Sequence, residues 1–260
     1  MEIIIQPTVA DAQQEAANIL RRQVRDKPAS VLGLATGSTP IGVYALLVAM
    51  HRRGELDFSR VSTFNLDEYV GLAPDHPCSY REFMRQHLFS HVSLASDRIH
   101  FPNGLAADIP AHCEEYEAAI ARAGGIDLQL LGIGREGHIG FNEPSSSLAS
   151  RTRIKTLTPQ TLKDNADCFG GPDKVPHHVI TMGVGTIMDA RQCLLLATGE
   201  AKASVVAGMV EGPITADLPG SILQMHPVCR LVIDEAAAAK LRRADYYRWV
   251  YANKPGWQRS

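Results

Sequence analysis

Residues 30–40 read SVLGLATGSTP and hold the signals of a strand, a turn and a helix start in one short stretch. Ser30–Ala35 is a mostly apolar run, which is typical of a strand covered on both faces of a sheet. Thr39 and Pro40 predict a helix start, because proline is tolerated at the first helical position, where its missing N–H costs little. This stretch therefore predicts one strand–helix unit.

The same unit recurs on both sides of this stretch. Further short apolar runs predict strands at Glu2–Ile5, Val61–Leu66, Asp127–Leu131, Val179–Met182, Cys193–Ala197 and Leu231–Ile233. Helical patterns lie between them, from a Thr8 cap to about Val24, from Pro40, and over Pro110–Ala123, Glu200–Val210 and Leu241–Ala252. The alternation predicts parallel βαβ units and an α/β fold, a three-layer α/β/α sandwich with a mostly parallel sheet.

Composition narrows the classes of protein that fit. The chain has 260 residues with 45% hydrophobic and 21% charged side chains, as in an average soluble protein, and its net charge of −2 gives no reason to expect nucleic acid or an anionic membrane. Five cysteines without a CxxC pair argue against a disulfide framework or a zinc ribbon and favour a reducing compartment. No signal peptide and no apolar run of about 20 residues is present, so we expect a cytoplasmic protein.

The pattern favours a single domain over residues 1–260, without repeats or low-complexity linkers. The polar stretch from about Thr158 to Pro176 contains Gly170, Gly171 and Pro172. It is interpreted as a lid over the site, and an ordinary surface excursion is the alternative.

In an open parallel sheet, ligands bind beyond the carboxyl ends of the strands, so the residues that follow each strand are the first candidates. Thr36–Thr39 follows one strand and opens a helix, and its hydroxyls and N–H groups can bind an anion. The loop lacks the lysine of a Walker motif and the full GxGxxG spacing, so it does not imply a nucleotide. A simple turn with a helix cap is the alternative.

Two further post-strand segments carry acid–base groups. Asp67 follows Val61–Leu66, and a carboxylate there can move a proton between neighbouring carbons of a sugar; a helix cap is the alternative. The glycine-rich segment 132–144 carries His138 near two acids, Glu136 and Glu143, which can orient an imidazole and stabilise its charged form. No HExxH motif or cysteine set accompanies this histidine, so we expect no metal site.

Basic residues mark a further candidate for anion binding. In strand geometry Arg151, Arg153 and Lys155 would share one face, although a solvated edge strand gives the same pattern. The 183–186 segment follows another strand and is a candidate for the same cleft. Lys202 lies at a helix start, where a cation is unfavourable, so a ligand partner is indicated.

Five motifs together resemble the glucosamine-6-phosphate deaminase family. They are ATGSTP at 35–40, FNLDEY at 64–69, GHIGFNEP at 137–144, SRTR at 150–153 and TMGVGT at 181–186. The resemblance runs from the first strand to about Ala252, and GHIGFNEP is its most diagnostic part. It implies a modified Rossmann-like fold and the conversion of D-glucosamine 6-phosphate and water to D-fructose 6-phosphate and ammonia in amino-sugar catabolism. It implies no redox cofactor and no metal, and it allows a homo-oligomer.

The resemblance also implies residue roles. Asp67 is expected to take the proton from C2 and return it to C1, while His138 assists ring opening with Glu143 and Glu136 as its relay. Substrate binding is expected from four residues, Thr36, Gly37, Ser38 and Thr39. Lys202 is expected to contact the phosphate. In some relatives, positions matching Ser146, Arg153, Lys155 and Thr156 bind an allosteric phosphosugar, N-acetylglucosamine 6-phosphate, between subunits.

The chain departs from the family pattern at two places. Glu136 stands where the family commonly has Asp, and 165–169 reads NADCF where many relatives read NARFF, so that Asp167 replaces a phosphate-binding Arg. Three readings stay open: Lys202 and the 36–39 loop suffice, Lys163 or Lys174 substitutes, or the substrate differs. The alternative functions are a related phosphosugar isomerase, a 6-phosphogluconolactonase, or a non-catalytic sugar-phosphate sensor.

Overall fold

The strands of the computed structural model, which describes residues 1–255 and Gln258, build two sheets. In chain order they are β1 Glu2–Gln6, β2 Val31–Leu34, β3 Ser62–Asn65, β4 Asp67–Tyr69, β5 Ile99–His100, β6 Leu128–Leu131, β7 Arg153–Thr156, β8 His178–Thr181, β9 Cys193–Ala197 and β10 Cys229–Asp234. The last residues of the predicted 1–260 domain, apart from Gln258, lie outside the described ones.

The main sheet is parallel throughout and has the order β1-β10-β9-β6-β2-β3-β5. Strand β6 lies at its centre, and β2 lies between β6 and β3, with Gly33 opposite Phe64 of β3 and Leu32 opposite Leu128 of β6. Because every strand runs the same way, all carboxyl ends meet at one edge. The predicted mostly parallel sheet is confirmed.

Helices cover both faces of this sheet. They are α1 Val9–Asp26, α2 Ile41–Arg52, α3 Tyr80–His87, α4 Ile109–Arg122, α5 Pro159–Asp164, α6 Ala166–Phe169, α7 Val184–Met188, α8 Ala203–Glu211, α9 Glu235–Ala238 and α10 Ala244–Ala252. Alternate residues of β9 enter different cores: Leu194 packs in a cluster with α1 and α2, and Leu195 in a cluster with α4 and α8. This alternation confirms the three-layer sandwich.

Local signals set the helix starts largely as predicted. Thr8 caps α1, and its hydroxyl oxygen accepts a hydrogen bond from the N–H of Asp11 at 3.1 Å. Pro40 is the N-cap of α2, one position earlier than expected, and the helix begins at Ile41. The Thr8 cap satisfies an N–H group that a helix terminus otherwise leaves without a partner, whereas Pro40 makes no side-chain capping bond.

The predicted strand Val179–Met182 exists as β8, but it does not belong to the parallel sheet. It pairs antiparallel with both β4 and β7 in a separate small sheet, where Thr181 lies between Asp67 and Arg153. Apolar composition predicted the strand, but it cannot tell which partner a short strand takes. The consequence for the site is that Asp67 begins a strand of its own beyond the edge of the main sheet.

The 158–176 segment contains α5, α6 and a 3₁₀ turn at Pro172–Lys174. Its Leu162 and Phe169 pack against a third hydrophobic cluster that includes Tyr69 and Phe141. The segment is also joined covalently to the rest of the chain, because Cys168 of α6 forms a disulfide with Cys78. The expectation that the cysteines form no disulfide is therefore wrong for this pair. The two partners are 90 residues apart, a separation at which cysteine spacing carries no signal.

Among the described residues, no helix is both long and apolar enough to cross a membrane.

Candidate active site

A cavity of about 610 Å³ lies at the carboxyl edge of the main sheet. The loops after β2, β6 and β9 line it, because these three strands are neighbours in the sheet and their carboxyl ends meet. The start of β4 and the 158–176 segment close the remaining sides. Three predicted groups therefore line the same cavity: the Thr36–Thr39 loop, Asp67 and His138.

Asp67 contributes a carboxyl group that is almost out of contact with water. The residue is 5% exposed and is held in the small sheet opposite Thr181. Burial raises the pKa of Asp67 to about 8, with a further contribution from the negative charge of Glu68. At neutral pH the carboxyl group of the free protein is therefore mostly protonated.

Glu68 faces away from Asp67 and has a different environment. Its carboxylate accepts hydrogen bonds from the N–H groups of Tyr69 and Tyr80 through Oε1, at 2.9 and 3.0 Å, and from that of Arg81 through Oε2 at 3.0 Å. Tyr80 and Arg81 form the first turn of α3. Glu68 thus stabilises a helix N-terminus with its negative charge, and its neighbour is free for chemistry.

His138 and Glu143 form the second acid–base unit. The Nδ1 atom of His138 lies 3.2 Å from Oε2 of Glu143, an ion-pair contact whose orientation is not that of a hydrogen bond. Oε1 of Glu143 accepts a hydrogen bond from the hydroxyl of Thr161 at 2.6 Å. Burial alone would raise the pKa of Glu143, but its contacts with His138 and Thr161 hold the pKa below its ordinary value. A carboxylate therefore faces the imidazole of His138.

The glycine-rich loop after β6 is shaped around the imidazole ring. A Cβ at Gly134 would lie 2.1 Å from both Cε1 and Nε2 of His138, so the ring packs directly on the backbone of Gly134. The N–H of Gly134 donates to the carbonyl of His138 at 2.9 Å, and Gly137 adopts a φ of +81° between them. Position 134 needs glycine because a side chain there would overlap the ring of His138. Position 137 favours glycine because of its positive φ.

Asn142 fixes the end of this loop to the small sheet. Its side-chain amide donates to the carbonyls of Ile139 at 2.9 Å and Met182 at 2.8 Å. Its Oδ1 atom accepts a hydrogen bond from Arg153 at 2.9 Å. The residue next to the relay acid Glu143 is therefore fully hydrogen-bonded and buried.

Glu136, the second predicted relay acid, is placed elsewhere. Its side chain is exposed and is not part of the cavity lining. The tight turn that Gly137 makes separates it from the imidazole, even though only one residue lies between them in the chain. Among the described residues the structure supports Glu143 as the carboxylate that contacts His138, and it gives no support to Glu136.

The cavity lining also contains hydrogen-bond donors and cations. Lys202 is the N-cap of α8, as predicted at a helix start, and its ammonium donates to the carbonyl of Ile133 at 2.7 Å. Burial lowers the pKa of Lys202, and the nearby positive charge of Arg135 lowers it further. Two cations close enough to repel each other, beside the Thr36–Thr39 loop, are the arrangement that an anion such as phosphate stabilises.

One cavity thus holds a buried acid, a histidine that faces a carboxylate, and two cations beside the Thr36–Thr39 loop. The family model for glucosamine-6-phosphate isomerases/6-phosphogluconolactonase matches residues 6–230. The chain belongs to this family. The predicted modified Rossmann-like fold is that of its structural neighbours.

Individual members of the family are similar over nearly the whole chain. Glucosamine-6-phosphate deaminases of Arthrobacter sp. (strain FB24) and Streptomyces coelicolor are 56% and 53% identical, each covering 99% of both chains. A solved structure of a monomeric glucosamine-6-phosphate deaminase has a TM-score of 0.90 and 43% identity over 92% of this chain and 100% of its own. The 6-phosphogluconolactonase from Trypanosoma cruzi, at 20% identity and a TM-score of 0.76 over 93% and 97% of the two chains, shares the fold.

The predicted cationic face on β7 forms only in part. Arg151 precedes the strand and pairs with Glu117 and Asp189, each at 2.6 Å, so its charge is already neutralised. Arg153 and Lys155 do share one face of β7. Burial lowers the pKa of Arg153, which donates to Asn142 and to a backbone carbonyl.

Three further predictions concern Ser146, Thr156 and the 183–186 segment. The hydroxyl of Ser146 is buried and has no hydrogen-bond partner among the described residues, while Thr156 is exposed on the other face of β7 from Lys155. The 183–186 segment is not part of the cavity lining. A Cβ at Gly183 would lie 2.0 Å from the carbonyl oxygen of Ser150, so this glycine serves close backbone packing.

The cavity also contains residues whose place the sequence analysis missed. Arg135 and Tyr80 line it, and Thr161 supports Glu143 from the 158–176 segment. A basic residue inside a glycine-rich loop after a strand is a signal that points to Arg135. No comparable sequence signal identifies Thr161, because its role depends on how α5 folds back over the loop.

We expect Gly134→Ala to disable the site and Gly132→Ala to be tolerated. The added methyl group at 134 would overlap the ring of His138, whereas one at 132 meets no atom within 4 Å. A displacement of about 1 Å can lower a rate about 10²-fold. Steady-state kinetics on the two variants, with circular dichroism to check folding, tests this. Equal activity of the two folded variants would contradict the packing described.

Proposed function

We propose that the chain catalyses the conversion of D-glucosamine 6-phosphate and water to D-fructose 6-phosphate and ammonia. The observation that carries this proposal is the single cavity in which Asp67 and the His138–Glu143 pair face a cationic end. The relatives named glucosamine-6-phosphate deaminase, at 52–56% identity, support the same activity. Amino-sugar catabolism is the corresponding process.

Ring opening is the first step that this geometry serves. The pyranose opens when a proton leaves the anomeric hydroxyl and another reaches the ring oxygen, and His138 is positioned to carry protons between them. Glu143 stabilises the positively charged imidazole between the two transfers. General acid–base assistance of this kind contributes about 10²–10⁴-fold.

Isomerisation follows on the open chain. Asp67 as carboxylate removes the proton from C2 to give an enolamine, and the resulting carboxylic acid returns the proton to C1. The product is the C2 imine of fructose 6-phosphate; water adds to C2 and ammonia leaves. The substrate's ammonium group beside Asp67 favours the ionised carboxylate, and so offsets the desolvation that raises its pKa.

Phosphate binding is assigned to Lys202, the Thr36–Thr39 loop and Arg135. Asp167 lines the cavity and is exposed, so it adds negative charge where the family pattern has a cation. Of the two lysines considered as substitutes, Lys163 lines the cavity and Lys174 does not. Arg135 also lines the cavity, close enough for its charge to lower the pKa of Lys202, and its Nε lies 3.7 Å from Oδ2 of Asp164.

The 158–176 segment is proposed to act as the lid of a single catalytic domain. Its Thr161 contacts Glu143, and residues from Lys163 to Asp167 line the cavity. Closure of such a segment excludes water and completes the acid–base unit.

An effector site is proposed at Ser146, Arg153, Lys155 and Thr156 for a phosphosugar. The hydrogen bond from Arg153 to Asn142 gives it a direct connection to the loop that carries Glu143. The effector would have to contact Thr156 from the opposite face of β7, or a second subunit would have to bring the two faces together around it.

A cytoplasmic location is proposed on the chemistry of the substrate. A sugar phosphate is charged and does not cross a membrane unaided, so an enzyme that consumes it works where it is made.

Lactone hydrolysis fits the site less well. It transfers no proton between carbon atoms and therefore has no use for a buried carboxyl group of raised pKa such as Asp67. The structural likeness to 6-phosphogluconolactonases at 20% identity concerns the fold.

The purified protein is expected to release ammonia and fructose 6-phosphate in equal amounts from glucosamine 6-phosphate, and far less from unphosphorylated glucosamine. The variant Asp67→Asn should lose at least about 10²-fold in kcat. Because the base must be deprotonated, kcat/KM should rise as pH increases toward about 8. Coupled assays of both products measure this.

Near-normal turnover by Asp67→Asn would overturn the assignment of the base. Tight binding of glucosamine 6-phosphate without ammonia release would identify a sensor instead. Hydrolysis of 6-phosphogluconolactone without deamination would identify a lactonase.

Glu143→Gln and Glu136→Gln form a matched pair. The first removes the negative charge that faces His138 and should lower kcat about 10²-fold, whereas the second alters an exposed side chain and should change kcat less than about threefold. Steady-state kinetics over pH 6–9 measures both. Equal losses in the two variants would mean that both acids act in the relay.

Arg135→Gln should raise KM about tenfold with little change in kcat, because it removes a contact with the non-reacting phosphate. Lys174→Gln, which alters a cation outside the cavity lining, is the control and should leave both constants unchanged. Competition by inorganic phosphate should weaken in parallel with the KM effect. An unchanged KM in Arg135→Gln would show that Lys202 and the 36–39 loop suffice.

A further inference from the structure

The Cys78–Cys168 disulfide joins two elements that border the cavity from opposite directions. Cys168 belongs to α6 and is exposed, whereas Cys78 is buried directly before Ser79, the N-cap of α3. The cross-link closes a loop of about 90 residues that contains the glycine-rich segment. Each end of this cross-link is connected to one of the acid–base groups of the site.

Cys78 is connected to the strand that carries Asp67 through the residues that follow it in the chain. Tyr80 lines the cavity two residues after Cys78, and its N–H donates to Glu68, the neighbour of Asp67. The hydroxyl of Tyr80 also lies 3.2 Å from that of Tyr69. This end of the disulfide is therefore a fixed point next to the proposed base.

The Cys168 side is tied to the acid that faces His138. Helix α6 follows α5 after a single residue, and Thr161 of α5 donates to Glu143 at 2.6 Å. Phe169, next to Cys168, packs on Tyr69 with ring centroids 5.3 Å apart. Anything that lets α6 move away from α3 therefore also loosens the Thr161–Glu143 hydrogen bond.

Charge holds this segment over the cavity only in part, through an ion pair of 3.7 Å between Nε of Arg135 and Oδ2 of Asp164. Asp164 and Asp167 lie in the lining, so a bound phosphate repels these two side chains. Lys163 offers one compensating charge on the same segment. The covalent link to Cys78 is the contact that keeps the segment in place independently of the ligand's charge.

We propose that the Cys78–Cys168 disulfide positions the 158–176 segment over the active site, and that its reduction lowers turnover by releasing Thr161 from Glu143. The proposal rests on the proposed deaminase function only for its kinetic readout. A dithiol is the reductant proposed here. One thiolate attacks a sulfur of the disulfide and displaces the other as a thiolate, and the second thiol of the dithiol then resolves the mixed disulfide. Two electrons and two protons pass to the protein, which gains two thiols, and the dithiol becomes a disulfide.

The exposure of Cys168 makes this exchange accessible, because an attacking thiolate can reach its sulfur without unfolding the chain. Disulfides in a reducing compartment are mostly redox-sensing or catalytic rather than permanent. The free cysteines Cys113, Cys193 and Cys229 are all buried and offer no competing exchange partner among the described residues.

The experiment compares the full-length protein before and after treatment with dithiothreitol, with thiols counted by maleimide labelling and mass spectrometry. Reduction is expected to lower kcat for glucosamine 6-phosphate about tenfold and to change KM less than about threefold. Removal of the reductant and mild oxidation should restore kcat. Cys168→Ser and Cys78→Ser should each resemble the reduced protein and no longer respond to dithiothreitol.

Two variants separate positioning from a general structural effect. Cys113→Ala alters a cysteine outside the disulfide, and it should keep the full response to dithiothreitol. Thr161→Val removes the hydroxyl that contacts Glu143, so reduction should cause little further loss of kcat in this variant. A response to dithiothreitol in Thr161→Val as large as in the wild type would rule out the proposed route through Glu143.

Hydrogen exchange provides a readout that does not depend on activity. Exchange in residues 158–176 should become faster on reduction, while the strands of the main sheet stay protected. Five free thiols after mild oxidation, or identical kcat and exchange in the oxidised and reduced forms, would overturn the proposal. If the oxidised protein releases no ammonia but exchange still responds to reduction, the proposed function fails and the positioning role stands.

Discussion

The site depends on a carboxyl group that the fold keeps out of water. Asp67 and Glu68 are adjacent and burial raises the pKa of both, yet three backbone N–H groups donate to Glu68 and oppose the rise there. The antiparallel pairing of β4 with β8 creates this difference, because successive side chains of a strand point to opposite faces. A group that ionises only near pH 8 is poorly stabilised as a structural ion, but it is well suited to exchange protons with carbon.

The same constraint relates stability to activity. Because the pKa of Asp67 is higher in the folded than in the unfolded chain, the folded state binds more protons between about pH 4 and 8. The contribution of this carboxyl group to stability is therefore present at low pH and is lost as pH rises through about 8. The pH range that favours the base for catalysis is the range in which its burial is most costly. Strain of this kind is common where a site needs a group in an unfavourable environment.

The sequence predicted the parallel sheet and the loops at its carboxyl edge, because long apolar runs and turn residues are local signals. It did not predict the small antiparallel sheet, since β4 has only three residues and its partner β8 is over a hundred residues away along the chain. It also could not rank Glu136 against Glu143. Both acids lie near His138 in sequence, and only the left-handed turn at Gly137 decides which of them faces the ring.

Position 167 shows how a local change in charge can be balanced elsewhere in a fold. An acid in the lining removes one attraction for phosphate, and Arg135, in the loop after β6, supplies a cation from another direction. Binding and closure share contacts: Arg135 and Lys202 lie on loops of the main sheet, but Arg135 is also ion-paired with Asp164 of the 158–176 segment. Packing, Thr161 and the disulfide hold the segment as well. The segment itself contributes one cation, Lys163, to the cavity lining. Contacts within the chain also hold the segment, so the redox state of two cysteines can act on the acid–base unit through Thr161 and Glu143.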